Sequence, residues 1–169
     1  MSENLKYGYT TGTCSAVGIK AGLEALLNNN YLEKIKFTVL NGEEILVPVN
    51  KIKVRKNSVS VSIIKYAGDD PDVTNGIHIC TKVKLVDKLP EVERGLYFDR
   101  FVLIGGRGVG RVTKLGLQVE IGKSAINPGP QKMIEKIVNE MLEKENKKAI
   151  VTIYVPEGRE KAKKTFNPK

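Results

Sequence analysis

Lys34-Ile35-Lys36-Phe37-Thr38-Val39-Leu40-Asn41-Gly42-Glu43-Glu44-Ile45-Leu46-Val47-Pro48-Val49 decides the fold class of this chain. Polar and apolar residues alternate from Lys34 to Leu40, reach Asn41-Gly42, and continue from Glu43 to Val49. Alternation with period two marks a half-buried strand, and Asn-Gly between two such runs is a strong hairpin signal. The stretch therefore predicts antiparallel pairing. Lys51 to Arg55 either extends this unit or starts another strand. Val59 to Tyr66 alternates again, with Val59, Val61 and Ile63 on one face and Ser60, Ser62 and Ile64 on the other. That is the pattern of an antiparallel sheet with one solvated face. Further strands are predicted from Ile77 to Val86, Phe101 to Ile104, Leu117 to Ile121 and Ala149 to Val155.

Two helices complete the prediction. The first runs from Cys14 to about Leu27, capped by Thr11 or Thr13 and ended by Asn28-Asn29-Asn30. Ser15, Ala16, Gly18, Ala21, Gly22 and Ala25 make one of its sides thin, which suits close packing. The second runs from about Gln131 to Glu145, with Met133, Ile134, Ile137, Val138, Met141 and Leu142 as its apolar stripe. Pro130 suits its first turn. Residues 87–98, with mixed charge and Pro90, read as a long connection. Two main helices packed on a mostly antiparallel or mixed sheet make an α+β fold.

Composition narrows the function. The 169 residues suffice for a domain of ordinary size, and 41% are hydrophobic, which allows a lean core. No run approaches a membrane span, and Met1-Ser2-Glu3-Asn4 lacks the pattern of a signal peptide. Cys14 and Cys80 have no metal-like spacing and read as reduced thiols, so a cytoplasmic location is expected. The net charge of +9 is uneven: residues 1–80 hold nine Lys or Arg against eight Asp or Glu, and residues 81–169 hold nineteen against eleven. The second half favours an anionic partner, a polycarboxylate, a phosphate or nucleic acid. No zinc finger, helix-turn-helix or aromatic interleaving accompanies that charge. The alternative is a solvated, solubilising face.

Four segments carry candidate chemistry. Leu103-Ile104-Gly105-Gly106-Arg107-Gly108-Val109-Gly110-Arg111-Val112-Thr113-Lys114 holds four glycines in six residues, a backbone that needs positive φ or close approach. Bare N–H groups and flanking cations suit it to an anion. It lacks both the Gly-Lys-Thr ending of a P-loop and a G-x-G-x-x-G match. Tyr9-Thr10-Thr11-Gly12-Thr13-Cys14 offers hydroxyls and a helix start to an anion, or is an elaborate cap. Gly68-Asp69-Asp70-Pro71-Asp72-Val73-Thr74-Asn75-Gly76 holds three carboxylates in four residues. They chelate a hard cation, close a turn through Asx hydrogen bonds, or orient a substrate and nearby basic loops. Lys123-Ser124-Ala125-Ile126-Asn127-Pro128-Gly129-Pro130 is a stiff platform or a linker into the second helix. His78, the only histidine, reads as a strand residue without a general-base partner. Cys14 sits at a helix start that favours thiolate, without a second thiol or nearby histidine.

Taken together these blocks resemble the cobalt-precorrin-5B C1-methyltransferases of anaerobic cobalamin biosynthesis, the CbiD family. The resemblance rests on Tyr9-Thr10-Thr11-Gly12-Thr13-Cys14, residues 67–76, Gly108-Val109-Gly110-Arg111-Val112-Thr113-Lys114, Ile121-Gly122-Lys123-Ser124-Ala125-Ile126-Asn127-Pro128 and Ala162-Lys163-Lys164-Thr165-Phe166-Asn167-Pro168, in the family's order. Leu115 and Arg107 depart from it, standing where the family usually has a proline and often an acidic residue. The family's chains are about twice as long, so the resemblance implies that residues 1–169 are one α+β domain, the N-terminal half, without the C-terminal methyltransferase-like domain.

The resemblance implies S-adenosylmethionine as methyl donor, bound mainly by the missing domain, and a polycarboxylated cobalt-corrinoid as substrate. Cobalt arrives inside that substrate, so no protein metal site is implied. Arg107, Arg111 and Lys114 are expected to pair substrate carboxylates, with Thr10, Thr11, Thr13, Gly106, Gly108, Gly110, Thr113 and Asn127 as further contacts. Asp69, Asp70 and Asp72 are the expected catalytic residues, holding loops or helping a proton leave the ring. A separate chain carrying the C-terminal domain would be the partner in a split enzyme. The competing classes are a basic nucleic-acid-binding module and a noncatalytic partner subunit.

Overall fold

The computed structural model describes residues 8–68 and 74–158. Helix α1 (Thr11–Asn28) starts three residues before the predicted Cys14. Its cap is Thr10, not Thr11 or Thr13. Thr10 is extended (φ −71°, ψ 164°) and its Oγ1 accepts the Thr13 N–H at 3.0 Å, whereas Thr11 and Thr13 are already helical. At the other end Asn29 takes the left-handed conformation, φ 52°, and the Asn30 N–H closes onto the Glu24 carbonyl at 3.2 Å.

The predicted hairpin forms from β1 (Lys34–Thr38) and β2 (Glu44–Pro48), with Ile35 opposite Val47 and Thr38 opposite Glu44. Its loop is one residue longer than a two-residue Asn-Gly turn. The Gly42 N–H bonds the Val39 carbonyl at 2.9 Å, Gly42 has φ 87°, and Asn41 Oδ1 accepts the Glu43 N–H at 2.9 Å. This is a type I turn closed by a left-handed glycine, with Asn41 used for its side chain. The hairpin is a sheet of its own.

Lys51–Arg55 does not extend it. β3 (Lys51–Val54) is the edge of a second sheet with β4 (Ser58–Ile64), β5 (His78–Val86), β6 (Leu96–Tyr97), β7 (Phe101–Gly105) and β8 (Lys148–Tyr154). The six strands run in the order β3-β4-β5-β8-β7-β6. All neighbours are antiparallel except β7 and β8, which are parallel. Parallel neighbours need a crossover, and helix α2 (Pro128–Met141) lies within that connection. It starts three residues before the predicted Gln131, at Pro128, because proline fits the first helical position.

The predicted strand from Leu117 to Ile121 is absent. Gly116 (φ 93°) and Gly122 (φ 90°) turn the backbone at both ends, and only Val119 of the apolar trio is buried. Alternation without a neighbouring strand leaves a loop.

Val59, Val61 and Ile63 face inward with Ile79, Val83 and Val151, and α1 lies over them. Its thin side makes this possible: a Cβ on Gly22 would lie 3.0 Å from Val59 Cγ1. Leu23, Ile63 and Ile79 are fully buried, each stabilising the fold by about 1.5–3 kcal/mol. Helix α2 packs beside α1 and buries Met133, Ile134, Ile137 and Val138. The opposite sheet face is polar, with Lys53, Ser60, Lys82 and Thr152 aligned across four strands. Among the described residues no helix is long and apolar enough to cross a membrane.

Candidate functional site

A cavity of about 940 Å³ opens where both helices begin. Its walls are Tyr9–Thr13 at the start of α1, the hairpin tip Val39–Asn41, Lys65 and Ala67 beyond β4, Val109, Ala125–Asn127, Pro130 and Met133 of α2, and Ile153 and Val155 at the end of β8. Three of the four segments singled out in the sequence thus meet at one place.

The two helix starts differ chemically. In α1, the Thr13 N–H is taken by Thr10 Oγ1, and the Cys14 N–H bonds the Thr10 carbonyl at 2.9 Å. The N–H groups of Thr11 and Gly12 precede the first intrahelical bond and sit in the cavity wall beside the Thr10 and Thr13 hydroxyls. In α2, Pro128 and Pro130 carry no N–H, and the Gln131 N–H bonds the Asn127 carbonyl at 3.2 Å. Gly129 is the remaining donor of that turn. The start of α1 is therefore the electropositive end of the cavity, and α2 is a stiff wall whose Asn127 side chain makes no cap bond.

Lys65 adds a cation. It is 7% exposed, lines the cavity, and its Nζ donates to Thr74 Oγ1 at 2.5 Å. Its backbone N–H bonds the Ile77 carbonyl at 2.9 Å, and its carbonyl accepts the Gly76 N–H at 2.8 Å. Lys65 thus joins the described segments before and after residues 69–73; the expected catalytic Asp69, Asp70 and Asp72 lie outside the described residues. The sequence reading missed Lys65, though it continues the inward row of Val59, Val61 and Ile63.

The glycine block contributes Val109 to the cavity and holds the end of β8. The Gly106 N–H bonds the Ile153 carbonyl, and the Val155 N–H bonds the Arg107 carbonyl, both at 2.8 Å. Gly108 has φ 80° and lies so close that a Cβ would overlap the Val155 carbonyl. Buried Ser124 ties the block to the platform segment, accepting the Gly105 N–H at 2.8 Å and donating to the Arg94 carbonyl at 2.9 Å. The Gly110 carbonyl accepts the Ala125 N–H at 2.9 Å. Arg107, Thr113 and Lys114 are exposed, and Arg111 Nη2 reaches Glu93 Oε1 at 3.2 Å. None of these four lines the cavity.

Cys14 is fully buried, and that burial pushes its thiol up to about 12 against a smaller downward pull from Lys65. It is a neutral thiol despite its place near the helix start. Tyr9 is likewise raised, first by burial and then by Cys14 and Tyr66. His78 does have a partner: its Nδ1 lies 2.8 Å from Glu157 Oε1. Burial pushes Glu157 up, but its hydrogen bonds with His78 outweigh this and its carboxyl is held below the ordinary value. The pair spans 79 residues, so no local signal announces it. Among the described residues, no group of three His, Cys, Asp or Glu side chains gathers to hold a metal ion.

The family model for CbiD matches residues 1–169. The cobalt-precorrin-5B C(1)-methyltransferase of Fusobacterium nucleatum subsp. nucleatum is 59% identical over 99% of this chain and 44% of its own length. The protein of that name from Methanocaldococcus jannaschii is 42% identical over 97% of this chain and 42% of its own. Among solved structures, the 1.9 Å crystal structure of the cobalamin biosynthesis protein CbiD from Archaeoglobus fulgidus superimposes with TM-score 0.64 and 28% identity, over 96% of this chain and 48% of the other. The chain spans less than half the length of these relatives.

Proposed function

The chain belongs to the CbiD family, and on that premise we propose that it forms the substrate side of a cytoplasmic cobalt-precorrin-5B C1-methyltransferase. The observation that carries the reading is the cavity at the start of α1, where bare N–H groups, threonine hydroxyls and Lys65 converge. A corrinoid bearing acetate and propionate groups presents carboxylates to such donors, and charge-assisted hydrogen bonds to them are strong ones. The apolar walls from Val109, Met133, Ile153 and Val155 suit the ring itself.

S-adenosylmethionine supplies the methyl group when bound, and the remaining length of the family's polypeptide holds it. Methyl transfer chiefly needs donor and acceptor aligned. The stiff wall of α2 and the anion-binding start of α1 fix the acceptor ring. Asp69, Asp70 and Asp72, which follow Lys65 in the sequence, hold neighbouring segments in place or take the proton leaving the ring. Arg107, Arg111 and Lys114, outside the cavity, engage carboxylates that project beyond it, with Gly106, Gly108, Gly110 and Thr113 shaping their loop.

Titration of the purified chain with a cobalt-corrinoid carrying free carboxylates tests this. Saturable binding is expected, weakened about tenfold or more by Lys65→Met in a variant that melts cooperatively, and less by Arg111→Ala. Binding that ignores Lys65→Met, or no binding by folded protein, overturns the assignment of this cavity. The uncovered sheet face with Lys53 and Lys82 favours the second reading, a nucleic-acid module. In that case oligonucleotides bind with a steep salt dependence and corrinoids do not compete.

A further inference from the structure

We propose that the loop of residues 113–121 docks the part of the CbiD polypeptide that the relatives carry outside the region matched here. This rests on family membership and not on what fills the cavity.

Leu115, Leu117 and Ile121 are 89%, 53% and 52% exposed within one short loop. Isolated apolar side chains on a surface are ordinary, but three in one loop mark a contact surface. The loop stands on a fixed base. The backbones of Arg111 and Ser124 pair, the Val112 N–H bonds the Lys123 carbonyl at 3.0 Å, and the Gly122 N–H bonds the Val112 carbonyl at 2.8 Å. Val112 and Ser124 are buried beneath it, and Val119 anchors the loop from within. The three apolar side chains are therefore held outward.

The route of the chain selects the occupant. After β8, Val155 is held by the Arg107 carbonyl, and Gly158 lies so close to Gly108 that an added Cβ would sit 2.6 Å from the Gly108 carbonyl oxygen. The last described residues thus leave from the same glycine block on which the loop stands. The relatives hold more than half of their length outside the match, since this chain covers 44% and 42% of them. Gly158 is thus seated on the glycine block that carries this apolar loop, with Lys114 in the loop and Lys123 at its base. The docking face that the remaining polypeptide would bring is apolar at its centre with acidic residues around it.

The test uses the part of the Fusobacterium nucleatum relative outside the match as a separate, folded chain. Calorimetric titration against this protein is expected to show binding, weakened at least about tenfold by the combined Leu115→Asp, Leu117→Asp and Ile121→Asp variant. Leu115→Asp alone, at the most exposed of the three positions, keeps the test open if the combined variant does not fold. Equal binding by the variants, or none by the wild-type protein, overturns the proposal. So does sedimentation showing that the loop instead pairs two copies of this chain.

Discussion

Gly12 and Pro130 set the distance between the two helix starts. A Cβ on Gly12 would lie 2.5 Å from Pro130 Cγ and 3.1 Å from Pro130 Cβ. A proline ring has little room to yield, so Gly12→Ala must separate the first turns of α1 and α2 and distort the cavity wall they share. The expected cost is about 1–3 kcal/mol in urea unfolding. Pro130→Ala combined with Gly12→Ala should recover most of it, because the ring that clashes is gone. Simple additivity of the two changes in a double-mutant cycle would show that the contact does not set the spacing.

Thr10 is the next test, because it fixes where α1 begins. Thr10→Ala removes the acceptor of the Thr13 N–H and is expected to destabilise the protein by about 1 kcal/mol. Thr10→Ser should retain nearly all of it. Thr11→Ala, at a position already helical, should cost much less. Equal losses at Thr10 and Thr11 would count against the observed cap.

The sequence made local structure legible and tertiary partnership much less so. The Asn41-Gly42 hairpin, the inward row Val59, Val61 and Ile63, and the stripe of α2 were readable because each is a repeat of side chains along one segment. Which sheet β3 joins depends on a neighbour, and Lys51 to Arg55 carries no record of it. Leu117 to Ile121 alternates like a strand but finds no partner. At the site, the threonine run, the glycine block and the platform were visible, and their meeting in one cavity was not. Lys65 was legible in principle: a lysine on an inward strand position must find a polar partner. The Arg111–Glu93 and His78–Glu157 contacts join distant segments and left no local trace.

Gly108 tests the role of the glycine block as a clamp on β8. Alanine there must adopt φ 80° and displace the Val155 carbonyl, which breaks the approach that lets the Val155 N–H bond Arg107. A loss of about 2 kcal/mol or more is expected from the left-handed backbone and overpacking together. Hydrogen exchange at Val155 should accelerate in the variant. Gly42→Ala at the hairpin tip, also at positive φ but with open space around it, should cost less.

The buried thiol of Cys14 makes stability fall in alkaline solution. Its pKa lies near 12 in the folded chain against an ordinary 9.0, so the folded state holds a proton that the unfolded state releases. The contribution is fully present below pH 9 and is lost as pH rises from about 9 towards about 12, with a slope of at most about 1.4 kcal/mol per pH unit. The comparison that isolates it is with Cys14→Ala. Cys14→Ala removes this titration only, and its stability should decline less steeply between pH 8 and 10. Iodoacetamide should leave Cys14 unmodified at pH 8 until denaturant exposes it. Parallel curves for the two proteins, or rapid alkylation of folded protein, would mean that Cys14 is not held as a buried neutral thiol.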